Sequence, residues 1–244
     1  MSSVQEEVVE EISSKIEDAE RDKDALTNKV FFTKYGTVVK VYPKYPITGF
    51  YTTITNLLVL ELSYVNRKER MENEVKVKEK VRDAGLKAPE VLTVGEKAIE
   101  FEKVSGQPGF EFLESCTEDE ATELGRKVGG FLSKLHDMDV ALRDFRLYNM
   151  IVDGDDIYLI DHEYSRLDAP ETLKWVDELT LFSSVRQTPN YMSFRSGYTE
   201  KKEVSWTTTF LSSVTSFLHA LFIERSFKRL KNVFLSAKKD IMGG

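Results

Sequence analysis

Apolar residues recur along the first part of the chain in two different patterns, one typical of amphipathic helices and one of short strands. The helical repeat, with a spacing of four residues, consists of Val4, Val8, Ile12 and Ile16. It predicts an amphipathic helix over residues 3–26. Beyond it, β-branched runs predict strands at 30–32 and 37–42, joined through the turn glycine Gly36. We therefore expect a helix followed by a small sheet.

The next stretch predicts one charged helix and a second pair of strands. Residues 66–84 have a helical pattern that ends at Gly85, with a proline shortly beyond. Apolar runs within 91–104 predict two further strands. The segment 105–109, Ser-Gly-Gln-Pro-Gly, is the clearest interruption in the chain, and we expect it to be a hinge between two lobes.

The region after the hinge is predicted to be mainly helical. Thr117 and Glu120 have the spacing of a capping box, and the helix that they begin extends to about His136. From about residue 171 the pattern is again helical. The predicted domains are an acidic N-terminal helix (1–28), an N-terminal lobe (29–105) and a C-terminal lobe with a basic tail (106–244).

Composition indicates a globular protein of modest size, because 41% of its 244 residues are hydrophobic and 31% are charged. The single cysteine, Cys116, excludes an intramolecular disulfide and favours a reducing compartment. The acidic N-terminus lacks the basic and apolar regions of a signal peptide. We therefore expect a cytoplasmic protein, either free or peripherally associated with a membrane.

Charge is distributed unevenly along the chain. Residues 1–28 contain nine acidic and three basic residues, a net charge of −6, whereas residues 201–244 contain eight basic and three acidic residues, a net charge of +5. This polarity could support an intramolecular clasp, or a basic surface for a polyanion such as RNA or anionic lipid. Ordinary solvated helix faces are the alternative, and we favour them.

One segment of the C-terminal part, residues 204–223, contains no charged residue and is followed by a basic stretch. Twenty residues are enough to cross a bilayer. The many serine and threonine residues of the segment, together with Trp206 and His219, lower its mean hydropathy. We favour a buried helix, and the alternative is a membrane-apposed helix with basic residues near lipid headgroups.

The strongest chemical signal lies near the middle of the chain, where residues 142–149 have the sequence Leu-Arg-Asp-Phe-Arg-Leu-Tyr-Asn. The acidic turn cluster 153–156 lies between two apolar runs and predicts a hairpin in which Val152 faces Ile157. Such a hairpin would bring Asn149 close to Asp161, which follows twelve residues later.

Oxygen ligands of this kind are those that a hard divalent cation prefers. The carboxylate of Asp144, just upstream, could orient a hydroxyl group and accept its proton. A surface hairpin with incidental acidic ends is the alternative.

The R-D-x-x-x-x-N pattern of 143–149 and the order of the predicted elements resemble the protein-kinase-like superfamily over residues 29–185. The pattern is most similar to small atypical members: the RIO kinases, the kinase of the KEOPS tRNA-modification complex with its archaeal RNA-kinase relatives, and lipopolysaccharide kinases. The loop also looks like that of aminoglycoside and choline phosphotransferases. The resemblance implies an α+β, two-lobed kinase-like fold, with a β-rich N-terminal lobe, a mainly helical C-terminal lobe, and ATP and Mg²⁺ as cofactors.

The resemblance also implies roles for individual residues of the catalytic hairpin. Asp144 would be the catalytic base, and Arg146 would help to hold the transferred phosphoryl group or the loop. Asn149 and Asp161 would be the magnesium ligands, with Glu163 as an outer-shell acid.

In the N-terminal lobe, Lys40 is similar to the lysine that pairs with nucleotide phosphates. By the same resemblance Gly36, in the turn before this strand, would also contact the nucleotide. A lysine buried in a valine-rich strand needs a partner, and Glu74 is the best candidate. The R-x-x-x-E spacing from Arg70 to Glu74 resembles that of the atypical kinases. The alternative is that Lys40 lies at a sheet edge and Glu74 faces solvent on its charged helix. Residues 101–106 resemble the segment that hydrogen-bonds adenine through backbone groups. By this resemblance Phe101 would guard the pocket, and Glu102 and Val104 would supply the contacts, although Phe101 could equally be ordinary core.

Several departures disfavour a regulated protein kinase. There is no G-x-G-x-x-G loop, Leu142 replaces the usual histidine, and His162 and Glu163 replace the Phe-Gly that follows the metal-binding aspartate. The apolar insertion 47–65 has no assigned role.

The predicted function is transfer of the γ-phosphoryl group of ATP to a hydroxyl of a protein, a tRNA, or a sugar or lipid-linked acceptor. A nucleotide-binding pseudokinase that acts as a scaffold is the main alternative. By resemblance, Lys238 and Lys239 of the basic tail would contact RNA phosphates, and an anionic membrane is the other candidate partner of that tail.

Overall fold

The structure, a computed structural model, describes residues 15, 20–21, 28–43, 66–83, 85–222 and 227–242. It separates into two compact units. The first unit comprises Met1–Ser105 together with Asp161–Tyr164, and the second comprises Gly106–Ile160 and Ser165–Gly244. The division after Ser105 falls inside the predicted hinge segment, whereas the assignment of Asp161–Tyr164 to the first unit was not predicted.

The first unit contains an antiparallel sheet of five strands in the order β1-β2-β3-β5-β4. The strands are β1 (Glu20–Arg21), β2 (Lys29–Phe32), β3 (Thr37–Val41), β4 (Val91–Val94) and β5 (Ala98–Glu102). Gly36, in the turn between β2 and β3, has a φ of +74°, a conformation that glycine adopts without steric cost. In the centre of the sheet, Lys40 on β3 lies between Val30 on β2 and Ile99 on β5.

Helix α1 (Arg67–Asp83) packs its buried face against the core of the first unit. That face combines apolar Met71, Val77 and Val81 with charged residues, so the helix has no simple apolar stripe. The helix ends where the Leu86 N–H donates to the Val81 carbonyl and Gly85 adopts a φ of +75°. This is the charged helix that the sequence predicted.

The second unit contains the predicted catalytic hairpin, in a three-stranded sheet of order β6-β7-β8. Its strands are β6 (Gln107–Pro108), β7 (Met150–Asp153) and β8 (Asp156–Leu159). Val152 pairs with Ile157, as predicted, and the Ile160 N–H donates to the Asn149 carbonyl at 2.9 Å. The register of the hairpin is therefore confirmed.

The remaining elements of the second unit in the described part of the chain are helical: α2 (Gly109–Ser115), α3 (Glu118–Asp137), α4 (Glu171–Val185), α5 (Tyr191–Thr199), α6 (Trp206–Phe222) and α7 (Phe227–Met242). The predicted capping box of Thr117 and Glu120 begins α3. Helices α3 and α5 approach closely because each has a glycine at the contact, Gly125 on α3 and Gly197 on α5. A methyl group at Gly125 would collide with the Phe194 carbonyl, and one at Gly197 with the Thr122 carbonyl.

The N-terminal prediction is only partly within the described residues. Residue 15 is helical, but Glu20–Arg21 form a strand that pairs with Phe31–Phe32. A helix over 3–26 is therefore wrong at residues 20–21, because the backbone there extends the sheet past β2 instead. The rest of that helix, and the insertion 47–65, lie outside the described residues.

The uncharged segment 204–223 largely forms helix α6. Over the residues that are described, no helix is both long and apolar enough to span a membrane. The favoured prediction of a buried helix holds only for one side of α6, which carries Thr208, Ser212, Thr215 and Ser216. The opposite side exposes apolar side chains, including Trp206 and Phe210.

Candidate functional site

Strand β3 places Lys40 in the interior of the first unit, where its side chain is only 8% exposed. Its Nζ lies 3.1 Å from Glu74 Oε2, 2.7 Å from Asp161 Oδ1 and 3.7 Å from Glu163 Oε2. Burial acts to lower the pKa of this ammonium group, but the carboxylates of Asp161, Glu163 and Glu74 outweigh it and raise the pKa well above its ordinary value. Lys40 is therefore a permanent buried cation.

Glu74, on the buried face of α1, is the anion that Lys40 was predicted to need. Besides Lys40, it contacts Lys78, whose Nζ lies 3.1 Å from Oε1, and it accepts the backbone N–H of His162 at 2.9 Å. Burial acts to raise the pKa of Glu74, but Lys40 and Lys78 outweigh it, and the pKa falls to about 2. The predicted Lys40–Glu74 ion pair is present, while its role toward a nucleotide stays a prediction.

Glu163 is fully buried and is held by residues from other parts of the first unit. Its Oε2 lies 3.2 Å from an Arg70 guanidinium nitrogen, and it accepts a hydrogen bond from the Asn28 amide at 3.0 Å. Burial raises the pKa of this carboxyl to about 7 in spite of Lys40 and Arg70. Arg70 also donates to the Pro43 carbonyl at 2.7 Å. We call Lys40, Arg70, Glu74, Lys78 and Glu163 the buried charge cluster.

Lys78 is the member of this cluster that the sequence prediction missed. Its side chain is 2% exposed, and its ammonium group also lies 5.0 Å from the ring centroid of Phe101. Burial lowers the pKa of Lys78. The only available signal was its position four residues after Glu74, which on a charged helix is equally typical of an exposed ion pair.

The predicted nucleotide-binding residues of the sheet lie in the same unit as Lys40. Phe101 is buried in β5 opposite Val38 and belongs to the core beside Tyr42 and Met71, so core packing alone accounts for its burial. Glu102 is exposed, and its N–H donates to the Glu90 carbonyl at 2.9 Å. Any adenine contact from Glu102 would therefore use its carbonyl oxygen.

Val104, which is half-buried, and Gly36, in the exposed β2–β3 turn, have no further feature that bears on a ligand. A Cβ added at Gly36 would meet nothing within 4 Å. The role of both residues stays a prediction.

In the second unit, Asp144, Arg146 and Asn149 form a compact group in the loop before β7. Arg146 Nε lies 2.5 Å from Asp144 Oδ1. The Asn149 amide nitrogen donates to the Asp144 backbone carbonyl at 2.8 Å and to its Oδ2 at 3.2 Å. About a third of the Asp144 side chain is exposed, 34%. The loop thus presents a carboxylate that is held in place but is accessible to a substrate hydroxyl.

Asp177, on α4, positions this loop and was missed by the sequence prediction. It is fully buried and accepts the backbone N–H groups of Leu142 at 3.0 Å and Arg143 at 2.6 Å. Its carboxylate also contacts His136 Nε2, at 3.1 Å. Burial raises the pKa of Asp177. Arg143 has a φ of +65°, a costly conformation for a residue with a side chain, and these hydrogen bonds hold it there.

The two predicted magnesium ligands, Asn149 and Asp161, belong to different units. Asp161 has a φ of +67°, and its side chain is 33% exposed. Each residue supplies a hard oxygen atom, and Mg²⁺ commonly uses one or two such protein ligands together with phosphate and water. Across the described ranges, no group of three or more His, Cys, Asp or Glu residues could hold a metal ion by itself. Each residue by itself is therefore of the type that Mg²⁺ uses, and their joint role as its ligands stays a prediction.

Comparisons with known proteins agree with the predicted resemblance, although no protein-family model matches the chain. The chain is 28% identical over 142 residues to the KEOPS complex subunit Bud32 of Pyrococcus abyssi (strain GE5 / Orsay). That match covers 57% of this chain and 64% of the relative, slightly less than two thirds of its length.

Two solved structures are similar over nearly the whole chain. One is WaaP in complex with acyl carrier protein, with a TM-score of 0.53, 14% identity, and coverage of 94% of this chain and 91% of WaaP. The other is the ADP-bound aminoglycoside phosphotransferase APH(2'')-Ib, with a TM-score of 0.55, 12% identity, and coverage of 96% and 98%. The predicted α+β kinase-like fold and the resemblance to the protein-kinase-like superfamily are confirmed.

Proposed function

We propose that this protein is an ATP-dependent phosphotransferase that moves the γ-phosphoryl group of ATP to a hydroxyl group. The observation that carries the proposal is the Lys40 ammonium group, buried and held by Glu74 at 3.1 Å and Asp161 at 2.7 Å. A buried cation fixed in this way is costly to maintain for structure alone. It is well suited to neutralising phosphate oxygens as charge spreads in the transition state.

In the proposed reaction, Asp144 orients the acceptor hydroxyl and takes its proton as the oxygen attacks the γ-phosphorus. The bond between that phosphorus and the oxygen bridging it to the β-phosphate breaks, and ADP leaves with the electron pair. Arg146, 2.5 Å from Asp144, fixes the carboxylate or contacts the transferred group. Asp177 keeps the loop backbone in place through Leu142 and Arg143.

The cofactor assignments follow from the same residues. Asn149 and Asp161 would hold Mg²⁺, which when bound neutralises charge on the phosphates. Gly36 would lie near the phosphates, and the backbone of Glu102 and Val104 would bind adenine, with Phe101 beside them. The ADP-bound state of the similar aminoglycoside phosphotransferase supports this choice of nucleotide.

A second candidate function is a nucleotide-binding subunit that acts as a scaffold. The relative in Pyrococcus abyssi is named as a subunit of a complex, which favours partner proteins for this chain too. The chain keeps Lys40, Asp144, Asn149 and Asp161, the residues that a pure scaffold would not need. For this reason we favour the enzyme. We further propose a cytoplasmic location, which fractionation of cells would test.

The test is a transfer assay with purified protein, Mg²⁺, ATP labelled at the γ-phosphate and fractionated cell extract. We expect label to enter one class of hydroxyl acceptor: protein, tRNA, or a sugar or lipid-linked molecule. Label should not appear when the Asp144→Asn variant is used or when the ATP is labelled at the α-phosphate. Nucleotide binding by the wild-type protein without transfer to any fraction would favour the scaffold instead.

A further inference from the structure

Large exposed apolar side chains are concentrated on helices α6 and α7 of the second unit. Among them are Trp206 at 76%, Phe234 at 63% and Ile241 at 82% exposure. We define the α6–α7 face by six side chains: Trp206, Phe210, Val214 and Leu218 on α6, with Phe234 and Ile241 on α7. Apolar patches of this kind on a folded surface usually mark a binding site.

The exposure of this face follows from the way α6 is anchored. Its polar side packs on α4, where the Thr215 and Ser183 hydroxyls lie 2.6 Å apart and the Ser216 hydroxyl donates to the Ser183 carbonyl at 2.7 Å. In addition, the buried guanidinium of Arg186 donates to Ser212 at 2.8 Å. Because the polar side of α6 makes the structural contacts, the apolar residues four positions apart are left on the outside.

The two helices are joined by aromatic packing. The ring of Phe217 on α6 meets that of Phe234 on α7 edge-on, with centroids 5.6 Å apart. Trp206 and Phe210 also stack, with centroids 5.4 Å apart. The apolar residues of the face are therefore arranged on two helices in contact.

The exposed charged residues on α6 and α7 are all basic, while the acidic Glu203 is exposed just before α6. Helix α6 has no charged residue, and the only acidic residue of α7 is Asp240. Asp240 is turned inward, 2.6 Å from Arg186 and 3.0 Å from the Tyr191 hydroxyl, with its side chain 8% exposed. Lys231 and Lys238, in contrast, are exposed on α7 beside Phe234 and Ile241 in sequence. A binding partner complementary to this face would combine apolar groups with negative charge.

We propose that the α6–α7 face docks on an anionic lipid surface, with Trp206 and Phe210 entering the interface and Lys231 and Lys238 at the level of the headgroups. Tryptophan favours the membrane interface, and lysines beside an apolar face are attracted to anionic lipid. Val214, Leu218 and Ile241 would contribute little to RNA binding, which depends on phosphate contacts and base stacking. This inference does not depend on phosphoryl transfer.

The test is flotation of the full chain with phosphatidylcholine vesicles and with vesicles that also contain phosphatidylglycerol. We expect binding to the anionic vesicles that weakens as salt is added. The Trp206→Ser/Phe210→Ser variant should reduce partitioning by about 100-fold, since two large apolar groups no longer leave water. The Lys231→Gln/Lys238→Gln variant should reduce partitioning to anionic vesicles by roughly fivefold per lysine.

The matched control is Leu92→Ser, which removes an apolar side chain of 48% exposure from the first unit and should leave flotation unchanged. Circular dichroism and thermal unfolding of each variant separate loss of binding from loss of folding. The proposal is wrong if the wild-type chain does not float with anionic vesicles, or if folded Trp206→Ser/Phe210→Ser protein floats as well as wild type.

Two further outcomes would overturn it in favour of another occupant. One is binding of a labelled RNA oligonucleotide that both double variants abolish, without flotation. The other is a dimer in sedimentation analysis that Trp206→Ser/Phe210→Ser converts to monomer, again without flotation.

Discussion

The buried charge cluster of the first unit and the catalytic loop of the second unit use charge in opposite ways. In the cluster, Glu74 and Glu163 are 1% and 0% exposed, and each is in contact with cations. In the loop, Asp144 is 34% exposed and has Arg146 as its ion-pair partner. Removing one member of a buried network leaves an uncompensated charge, whereas a partly exposed carboxylate can be neutralised at less structural cost.

Substitutions in the two regions should therefore affect different properties, the rate of phosphoryl transfer in one and the free energy of unfolding in the other. Substitutions at Asp144 should report on phosphoryl transfer, because we expect a partly exposed carboxylate to contribute little to stability. Substitutions in the buried charge cluster should first reduce the free energy of unfolding, so loss of activity there says less about mechanism.

The largest expected effect is on turnover in the Asp144→Asn variant. Loss of the base should lower the rate of transfer by about 10³-fold, while the free energy of unfolding changes by less than about 1 kcal/mol. Steady-state kinetics and urea unfolding measure the two quantities. Asp155→Asn, an exposed change in the neighbouring hairpin, is the control and should alter neither. Strong destabilisation of Asp144→Asn would mean that the catalytic loop, like the buried charge cluster, depends on its charge for stability.

The second effect is loss of stability in Glu74→Gln. This change leaves Lys40 and Lys78 buried without the carboxylate that lies 3.1 Å from both, and we expect a loss of about 3 kcal/mol in the free energy of unfolding. Glu72→Gln, on the exposed side of the same helix, should cost less than about 0.5 kcal/mol. Adding Lys78→Met to Glu74→Gln should restore part of the loss. Equal stability of the two glutamine variants would show that the cluster does not behave as a network.

The third prediction concerns the support of the loop by Asp177. In Asp177→Asn, the backbone of Leu142 and Arg143 loses a charged acceptor, and we expect a loss of about 1–3 kcal/mol in the free energy of unfolding. A positioning role also predicts a lower kcat at an unchanged KM for ATP. Asp137→Asn, an exposed change at the end of α3, is the control. A change in KM alone would instead point to a role in nucleotide binding.

The fourth prediction concerns the pH dependence of stability. The pKa of Glu163 is raised to about 7 in the folded state, from an ordinary value of 4.5. The contribution of this shift to the free energy of unfolding is therefore present below about pH 4.5 and is lost as the pH rises toward 7. The pKa of Glu74 is lowered to about 2. The contribution of this shift to the free energy of unfolding is therefore present above about pH 4.5 and is lost as the pH falls toward 2.

Thermal unfolding of the nucleotide-free protein across this range tests the sign. Between pH 4.5 and 7, the unfolding temperature of Glu163→Gln should decline less than that of the wild type. The exposed change Glu96→Gln should leave the profile unchanged. An unaltered slope in Glu163→Gln would mean that this carboxyl ionises in the folded protein as it does in water.

Local spacing was sufficient for several features of the site. The hairpin register of Val152 with Ile157 follows from two apolar runs around a turn cluster, and the capping box of Thr117 from a three-residue spacing. The partner of Lys40 followed from the energetic need to pair a charge in a buried strand, which left Glu74 as the nearest candidate.

Other features depended on contacts that no local pattern encodes. Whether Lys78 is buried depends on which side of a charged helix faces the core, and α1 has no apolar stripe to decide this. Asp177 accepts hydrogen bonds from the backbone of Leu142 and Arg143, 35 and 34 residues away, and no sequence pattern near Asp177 indicates these partners. Helix α6 buries its serine and threonine side because hydroxyl partners on α4 and the Arg186 guanidinium just after α4 lie there.

By itself, therefore, the sequence determined the order of elements, the kinase-like loop and the chemistry that its residues could perform. Only the tertiary structure decided which charges are buried and which face of a helix remains outside. The physical reason is that burial and hydrogen bonding depend on the surface that covers a residue, and that surface comes from distant parts of the chain.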